Sequence, residues 1–221
     1  MGAPIPKQFL TLKGKTIIEY TIETFQKNER IDEIAVVMHR DFLDRMRGMA
    51  AVNGWSKLKK ILPGGSERYM SSLAAIESYH DYPEDTHMLF HDAVRPLVSQ
   101  QIIDDVLDAL ENNCAVGVGL PTTDTIWEVD AKDKAIRFIP DRRCLYRAQT
   151  PQAFTLGLIE KAYEIGLQTR PFVCTDDCGV VRQYLPEVPI KVVMGEVTNM
   201  KITVPEDIVI AEQVMRMGGE D

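Results

Sequence analysis

The residues of this chain that could do chemistry cluster at the ends of apolar runs. His91-Asp92-Ala93-Val94-Arg95-Pro96 directly follows the apolar run Met88–Phe90. A carboxylate in that position suits Mg²⁺, which prefers oxygen ligands and substrate phosphates. The Arg95 guanidinium could bind a phosphate bidentately. The alternative is a buried Asp92–Arg95 ion pair that orders the loop, and these residues alone leave both interpretations open.

A second candidate segment is rich in glycine. Gly64-Gly65-Ser66-Glu67-Arg68 follows an apolar run and precedes a helical pattern that contains Ser71. Glycines allow a backbone to approach a ligand closely, and a helix N-terminus presents unpaired N–H groups to anions. Because the Walker pattern GxxxxGK[ST] is absent, these residues by themselves are explained better by an ordinary strand-to-helix turn.

Other candidate chemistries have weak support. Cys174 and Cys178 have no matching pair nearby, which argues against zinc. The Gly-x-Ser-x-Gly elbow of α/β-hydrolases is absent. Further polar groups stand beside apolar residues at Pro6–Leu10, Asp141-Arg142, Gln149–Gln152 and Asn199–Thr203, where each Lys or Arg taken singly is more simply a solvated surface charge.

Alternating apolar and amphipathic segments must position these groups. In such an α/β arrangement the sheet is mostly parallel with helices on both faces, and ligands bind beyond the carboxyl ends of its strands. The apolar runs predict strands at Ile34–Met38, Met88–Phe90, Val116–Leu120 and Ile190–Met194, and the amphipathic periodicity predicts helices at Thr16–Gln26, Phe42–Val52, Ser71–Tyr79, Gln101–Glu111, Leu156–Gly166 and Pro205–Met217.

The segment between Thr122 and Tyr146 breaks this alternation. Two short strand-like pieces, Thr125–Val129 and Ala135–Ile139, predict a hairpin with little apolar surface of its own. Since an isolated hairpin is marginal in water, we expect it to lean on another surface, such as a second subunit.

Composition excludes several classes of protein. The 221 residues carry a formal charge of −8, which argues against wrapping nucleic acid or an anionic membrane. Any phosphate ligand therefore needs a local cluster of Lys and Arg. The length predicts a single domain over residues 1–221. With no signal peptide, no spanning segment and only four cysteines, we expect a reduced cytoplasmic protein.

Taken together and in order, these segments resemble the cytidylyltransferases that activate small polyol phosphates. That family includes the 2-C-methyl-D-erythritol 4-phosphate and the ribitol-5-phosphate cytidylyltransferases. The matching pieces are PKQFL at Pro6–Leu10, GGSER at Gly64–Arg68, HDAVRP at His91–Pro96, DT at Asp124–Thr125, DR at Asp141–Arg142, QTPQAF at Gln149–Phe154, TDDC at Thr175–Cys178 and NMKITVPED at Asn199–Asp207.

The resemblance implies a Rossmann-like nucleotidyltransferase fold and a reaction that converts CTP and a polyol phosphate into CDP-polyol and pyrophosphate, with Mg²⁺. It also implies a homodimer, in which the arm at about 122–146 reaches the neighbouring subunit's site. The segments AQTPQAF, DR and TDD favour methylerythritol phosphate and hence isoprenoid precursor synthesis, whereas HDAVRP and IPKQFL favour ribitol phosphate, which serves teichoic-acid synthesis. We expect the first substrate.

The resemblance further implies a role for each matched side chain. Lys7 would stabilise the transition state at the α-phosphate, and Asp92 would hold Mg²⁺ near the ribose. The catalytic set is Lys7, Arg142 and Lys201, the CTP-binding set is Gly64, Gly65, Arg68, Ser71, Asp92 and Arg95, and the polyol-phosphate set is Thr125, Arg142, Thr150 and Lys201.

One departure from the family stands at the N-terminus. Family members open with a buried strand and a glycine-rich loop ending in Arg-Met-Gly just before PKQF, and here Met1-Gly2 corresponds to the end of that loop. We expect either a misassigned start codon, which we favour, or impaired CTP binding, as in a non-catalytic dimeric nucleotide-binding relative. The arm and the QTPQ segment argue against a sugar-1-phosphate enzyme that uses UTP or GTP.

Overall fold

Seven α-helices lie in the part of the chain that the computed structural model describes, which is residues 5–169, 171–172 and 174–217. The six predicted helices are confirmed to within three residues at their ends. Helix α6 was missed, because its eight residues carry too few turns for a clear periodicity. The helices are α1 (Ile17–Lys27), α2 (Leu43–Asn53), α3 (Arg68–Ser78), α4 (Gln100–Leu110), α5 (Leu156–Gln168), α6 (Asp177–Tyr184) and α7 (Pro205–Met217).

Ten strands occur in the same residues, and the four predicted ones are among them. Thr11–Leu12 and Lys15–Thr16 form a tight hairpin in which Lys13 and Gly14 have φ values of 43° and 88°. The strands are β1 (Thr11–Leu12), β2 (Lys15–Thr16), β3 (Ile34–Met38), β4 (Leu58–Pro63), β5 (His87–Phe90), β6 (Ala115–Pro121), β7 (Glu128–Val129), β8 (Ile136–Phe138), β9 (Tyr146–Thr155) and β10 (Lys191–Met194).

The largest sheet has the strand order β10-β6-β9-β5. Strands β10 and β6 are parallel, whereas β9 runs antiparallel to both β6 and β5. Three of the four strands share one direction, but two of the three pairings are antiparallel, so this sheet is mixed rather than mostly parallel as predicted. The carboxyl ends of these three strands meet at one edge, where the segment after β5 begins.

Strand β9 was missed by the sequence patterns because a bulge interrupts it. Gly117 pairs with Gln152 and Val118 pairs with Gln149, so Thr150 and Pro151 fall outside the ladder. A proline lacks the N–H that a ladder position needs, and a bulge is where a strand tolerates it. The bulge turns Thr150 toward the loop that follows β5.

Strands β3 and β4 form a separate parallel pair. In the described part of the chain, β3 and β5 do not pair with each other. A cavity of about 800 Å³ separates them, lined by β3, β5, α1 and α3. The start of α3 and the residues after β5 lie at one end of this cavity. The edge of the sheet at which the sequence predicts ligand binding therefore opens into a cleft.

The amphipathic helix α4 contributes its apolar face to the hydrophobic core. Its apolar face packs on the sheet with Val116, Val118 and Ala153. The Ser99 hydroxyl accepts a hydrogen bond from the Ile102 N–H at 3.1 Å and so caps the helix. The predicted face is confirmed, since Ile102, Ile103, Val106, Leu107 and Leu110 are all buried.

Helix α7 begins at Pro205, as the Pro-Glu-Asp signature predicts. The Asp207 carboxylate accepts hydrogen bonds from the Thr203 and Val204 N–H groups at 2.6 and 2.9 Å. These bonds satisfy two backbone donors at the helix start. They also order the backbone just after Lys201.

The predicted hairpin is present as the antiparallel pair of β7 and β8. Contrary to the expectation of little apolar surface, it exposes several large apolar side chains. Trp127 and Phe138 are each 58% exposed, and Ile126, Val129, Ile136 and Ile139 are exposed as well. None of the helices in the described residues is long and apolar enough to cross a membrane.

Candidate active site

Asp92 is the centre of a charged cluster at the carboxyl end of β5. The Arg95 Nε donates to Asp92 Oδ2 at 3.0 Å, and Lys201 Nζ lies 3.1 Å from the same oxygen. The fold therefore joins two motifs that are more than a hundred residues apart in the sequence. Within the described residues neither cation donates a hydrogen bond to Oδ1, so this carboxylate oxygen is left for a ligand.

The same contacts control the protonation of Asp92. Its side chain is only 15% exposed, and burial by itself would raise the pKa. The Lys201 charge and the hydrogen bonds from Arg95 and Lys201 outweigh burial and hold the pKa of Asp92 below its ordinary value. Asp92 is therefore an anion at neutral pH.

The Arg95 guanidinium is engaged in hydrogen bonds within the protein. It is 8% exposed, and its Nη1 donates to the Asn199 backbone carbonyl at 2.8 Å while its Nε bonds Asp92. Asn199 is fully buried and donates to the Thr150 carbonyl at 2.8 Å. The buried Asp92–Arg95 pair is thus present, and a contact between Arg95 and a nucleotide stays a prediction.

His91 and Thr150 support Asp92 from the other side. Thr150 Oγ1 accepts from the Asp92 N–H at 3.0 Å and lies 3.0 Å from His91 Nδ1. His91 Nε2 lies 3.1 Å from the Arg95 carbonyl, which only accepts, so the ring proton sits on Nε2. The hydroxyl of Thr150 is then committed to these two partners, and its predicted contact with polyol phosphate stays untested.

We expect this buried histidine to make the fold sensitive to acid. Burial lowers the pKa of His91 to about 4 from the ordinary 6.5, against the opposing effects of the Arg95 carbonyl and Asp92. The unfolded chain takes up the proton first as the pH falls, so stability present above pH 6.5 is lost down to about pH 4. Linkage sets this loss at about 3 kcal/mol.

Urea denaturation across this pH range measures the effect. The His91→Gln variant lacks the titrating ring, and its stability is expected to fall less steeply with acid than that of the unaltered chain. Since both proteins share every carboxylate, the difference between the two curves isolates His91. Parallel curves would show that the ring titrates normally in the folded state.

Lys7 contacts the backbone of the segment Asn199–Thr203, which carries Lys201. It sits in a short 3-10 helix, Lys7–Phe9, anchored by the buried Phe9 ring. Lys7 Nζ donates to the Thr203 carbonyl at 2.5 Å, two residues beyond Lys201. The Ile202 N–H in turn bonds the Val94 carbonyl at 2.9 Å. The segment that carries Lys201 is therefore bonded both to Lys7 and to the loop after β5.

The glycines of the GGSER segment permit close contact with α3. A Cβ on Gly64 would lie 2.6 Å from Ser71 Oγ, and one on Gly65 would lie 2.3 Å from Met70 Cβ. Helix α3 begins at Arg68, three residues before the predicted start, so the loop packs against its first turn. Both Arg68 and Ser71 line the cavity.

Gly65→Ala is expected to destabilise the fold because the new methyl group overlaps Met70 and forces the loop away from α3. Overpacking of this kind costs about 1–3 kcal/mol. Gly48→Ala is the matched control, since nothing lies within 4 Å of its Cβ position in α2. The control should gain up to about 1 kcal/mol from helix propensity. Urea denaturation measures the free energy of unfolding of both variants and of the unaltered chain. A Gly65→Ala variant as stable as the unaltered chain would mean that the loop has room for a side chain.

The arm residues lie apart from the Asp92 cluster. Arg142 Nη1 donates to the Thr123 carbonyl at 3.2 Å, and both Arg142 and Thr125 are exposed. Among residues 5–169, 171–172 and 174–217, no hydrogen bond or ion pair links them to Asp92 or Lys201. The binding of polyol phosphate by Arg142 and Thr125 stays a prediction.

The partner of Arg68 was not predicted from the sequence. Arg68 Nη2 lies 2.6 Å from Oδ2 of Asp177, a side chain that is completely buried. Asp177 belongs to the TDDC segment that carried part of the resemblance, and that segment was the available signal. Its pairing with a residue 109 positions away is visible only in the fold.

The cluster as a whole suits a polyphosphate ligand. It places two cations, Arg95 and Lys201, on one carboxylate in a chain of net charge −8, and a phosphate ligand of such a chain needs a local cluster of basic residues. A lone carboxylate can hold Mg²⁺ when substrate phosphates supply further oxygens, and Oδ1 of Asp92, to which neither cation donates, fits that mode. The described residues contain no group of three or more His, Cys, Asp or Glu side chains for a metal bound by protein alone.

Comparison with known proteins gives one consistent family. A sequence model of the family described as 2-C-methyl-D-erythritol 4-phosphate cytidylyltransferase matches residues 1–217. A protein of that name from Thermobifida fusca (strain YX) is 42% identical over 99% of this chain and 89% of its own length.

A second relative has a different product in its name. The bifunctional ribulose 5-phosphate reductase/CDP-ribitol pyrophosphorylase Bcs1 of Haemophilus influenzae is 41% identical over 98% of this chain and 45% of its own length. Among solved structures, the 4-diphosphocytidyl-2C-methyl-D-erythritol synthase of Anaerococcus prevotii DSM 20548 superposes with a TM-score of 0.86. It is 30% identical and covers 95% of this chain and 93% of that one.

Proposed function

The chain belongs to the 2-C-methyl-D-erythritol 4-phosphate cytidylyltransferase family, and we propose that it transfers CMP from CTP to 2-C-methyl-D-erythritol 4-phosphate within one domain over residues 1–221. The observation that carries the assignment to this site is that one segment links Lys7, which contacts Thr203, to Lys201, which pairs with Asp92 after β5. Such transfer supplies an isoprenoid precursor.

The reaction brings two polyanions together. A phosphate oxygen of the polyol attacks the α-phosphorus of CTP, the bond to the bridging oxygen of the β-phosphate breaks, and pyrophosphate leaves. Catalysis by this chain's residues is then positioning and charge neutralisation. Lys7 stabilises the charge that builds up at the α-phosphate, Lys201 holds the polyol phosphate, and Arg68 and Ser71 contact the nucleoside end.

Asp92 is proposed to hold Mg²⁺ through Oδ1, while Arg95 and Lys201 keep the carboxylate ionised and oriented. When bound, the metal would neutralise phosphate charge. Chelation by EDTA should therefore abolish turnover, and added MgCl₂ should restore it.

The protein is proposed to act as a cytoplasmic homodimer. The support is the exposed apolar surface of the hairpin arm, including Trp127 and Phe138. Exposed patches of this kind mark protein interaction sites. The separation of Arg142 and Thr125 from Asp92 within one chain agrees with an arm that reaches its partner's site.

Ribitol 5-phosphate is the second candidate substrate. The observation that favours it is the 41% identity to the relative named for CDP-ribitol. Both polyols present a primary phosphate beside hydroxyl groups, so Lys201 and Arg142 could serve either. The family model and the methylerythritol relatives support the first substrate.

Pyrophosphate release with CTP and Mg²⁺ tests the proposal directly. Methylerythritol 4-phosphate and ribitol 5-phosphate are offered separately, with UTP in place of CTP as the nucleotide control. We expect release with CTP and methylerythritol 4-phosphate at a kcat/KM well above that with ribitol 5-phosphate. The reverse order would reassign the substrate, and no release with either polyol would contradict the function.

A further inference from the structure

Asp177 is a completely buried carboxylate beside the candidate site, and the proposed reaction leaves it without a role. It has 0% exposure and lies in the first turn of α6. An ionised carboxylate in the interior is costly unless charged and hydrogen-bonded partners replace water. The groups around Asp177 are the partners that compensate for the cost of its burial.

Both carboxylate oxygens of Asp177 have partners. Arg68 Nη2 lies 2.6 Å from Oδ2, and the Tyr163 hydroxyl donates to Oδ1 at 2.7 Å. Burial, together with the adjacent carboxylate, raises the pKa of Tyr163 well above its ordinary value, so its hydroxyl keeps the proton that it donates. Three separate helices, α3, α5 and α6, therefore converge on this one carboxylate.

Arg68 is the member of this group that reaches the cavity. Its side chain is 38% exposed and lines the cleft together with Ser71 and Asp92. Burial opposes its charge, but the charge of Asp177 and the hydrogen bond to it outweigh burial and raise the pKa of Arg68. A guanidinium has several N–H donors in a fixed plane. Pairing one of them with Asp177 sets the direction of the others.

The start of α6 is also tied to the strand that supports Asp92. Asp176 Oδ2 accepts from Gln152 Nε2 at 2.7 Å, and Gln152 Oε1 accepts from the Cys178 N–H at 3.0 Å. Gln152 follows the bulge that carries Thr150, whose hydroxyl bonds the Asp92 N–H. Hydrogen bonds, together with the backbone of 176–178 and of 150–152, thus connect Arg68 to Asp92.

We propose that Asp177 is a positioning residue that orients the Arg68 guanidinium toward the nucleotide bound in the cleft. This inference rests on the proposed function, because it assumes that CTP occupies the end of the cavity between Arg68 and Asp92. Without the carboxylate, Arg68 turns toward solvent and its contact with the nucleotide is lost. The polyol phosphate, bound at Lys201, should be unaffected.

Steady-state kinetics of a mutant cycle test this role. Asp177→Asn keeps the shape of the side chain but removes its charge, and it should raise the KM for CTP by about 10- to 100-fold, the range of a hydrogen bond to a charged group. The KM for the polyol phosphate should stay within about twofold. Tyr163→Phe keeps the ion pair and removes one hydrogen bond, so its effect on the KM for CTP should be smaller.

The double variant Arg68→Met with Asp177→Asn separates positioning from folding. It leaves no unpaired buried charge, so its stability should exceed that of Arg68→Met alone, which strands the carboxylate. Its KM for CTP should nevertheless equal that of Arg68→Met, because Asp177 has nothing left to position. Urea denaturation and the two KM values are measured on each protein.

The outcomes distinguish the inference from the function on which it rests. If the unaltered chain fails to form CDP-polyol from CTP, the proposed function fails before any variant is compared. If that chain is active but Asp177→Asn shifts both KM values equally, Asp177 is only structural. A double variant whose KM for CTP returns to the unaltered value would overturn the positioning role in the same way.

Discussion

Lys7→Ala is expected to lower kcat by about 10²- to 10³-fold, the range measured when one preorganised donor to transition-state charge is removed. The reason is the position of the ammonium group, which donates to the Thr203 carbonyl at 2.5 Å, two residues beyond the Lys201 that pairs with Asp92. The KM for the polyol phosphate should change by less than about threefold, because Lys201 and Arg142 are assigned to that phosphate. Initial rates of pyrophosphate release measure both constants.

Lys27→Ala is the matched control for this prediction. Lys27 is an exposed lysine in the last turn of α1 and stands outside the cluster. It removes the same charge from the protein without touching the site, so kcat should be unchanged. Equal kcat values for Lys7→Ala and the unaltered chain would remove Lys7 from the mechanism.

Arg142→Ala should raise the KM for the polyol phosphate by about 10- to 100-fold, because a hydrogen bond to a charged group contributes about 1.5–3 kcal/mol. The KM for CTP should stay nearly constant. Arg143→Ala is the control, since that neighbouring guanidinium already pairs with Asp141 at 2.6 Å. An equal loss for both substrates would contradict the assignment of Arg142 to the polyol phosphate.

Mixing two weak variants tests whether the arm acts across a dimer. Lys7→Ala and Arg142→Ala damage different parts of the site, so a mixed dimer would contain one site with both residues intact. Random exchange of subunits should restore about a quarter of the unaltered activity. Activity that stays at the level of the separate variants after exchange would show that Arg142 serves its own chain or that the dimer does not form.

Local patterns were sufficient for most individual elements. The spacing of Ile102, Val106 and Leu110 predicted the buried face of α4, and Pro205 with the acidic residues after it predicted the start of α7. These predictions succeed because periodicity and capping depend on residues within a few positions of one another. Strand β9 was not predicted, because its bulge at Thr150 arises in the pairing with β6, and that strand lies outside the local sequence around Thr150.

The sequence predicted the motifs of the candidate site but not how their side chains are arranged in space. The motif around Asp92 left a metal ligand and a buried ion pair open, and the fold shows the pair together with one oxygen to which neither Arg95 nor Lys201 donates. The exposed apolar surface of the arm was also not predicted from composition. Each of these features depends on which segments pack side by side.

The sequence by itself thus determined the helices, the main parallel strands and the segments that carry charge. Only the tertiary structure decided that Lys201 meets Asp92 and that Asp177 pairs with Arg68. The physical reason is that a buried charge is stable only with a partner at hydrogen-bonding distance. The chain meets that requirement with residues about a hundred positions away, which no local pattern encodes.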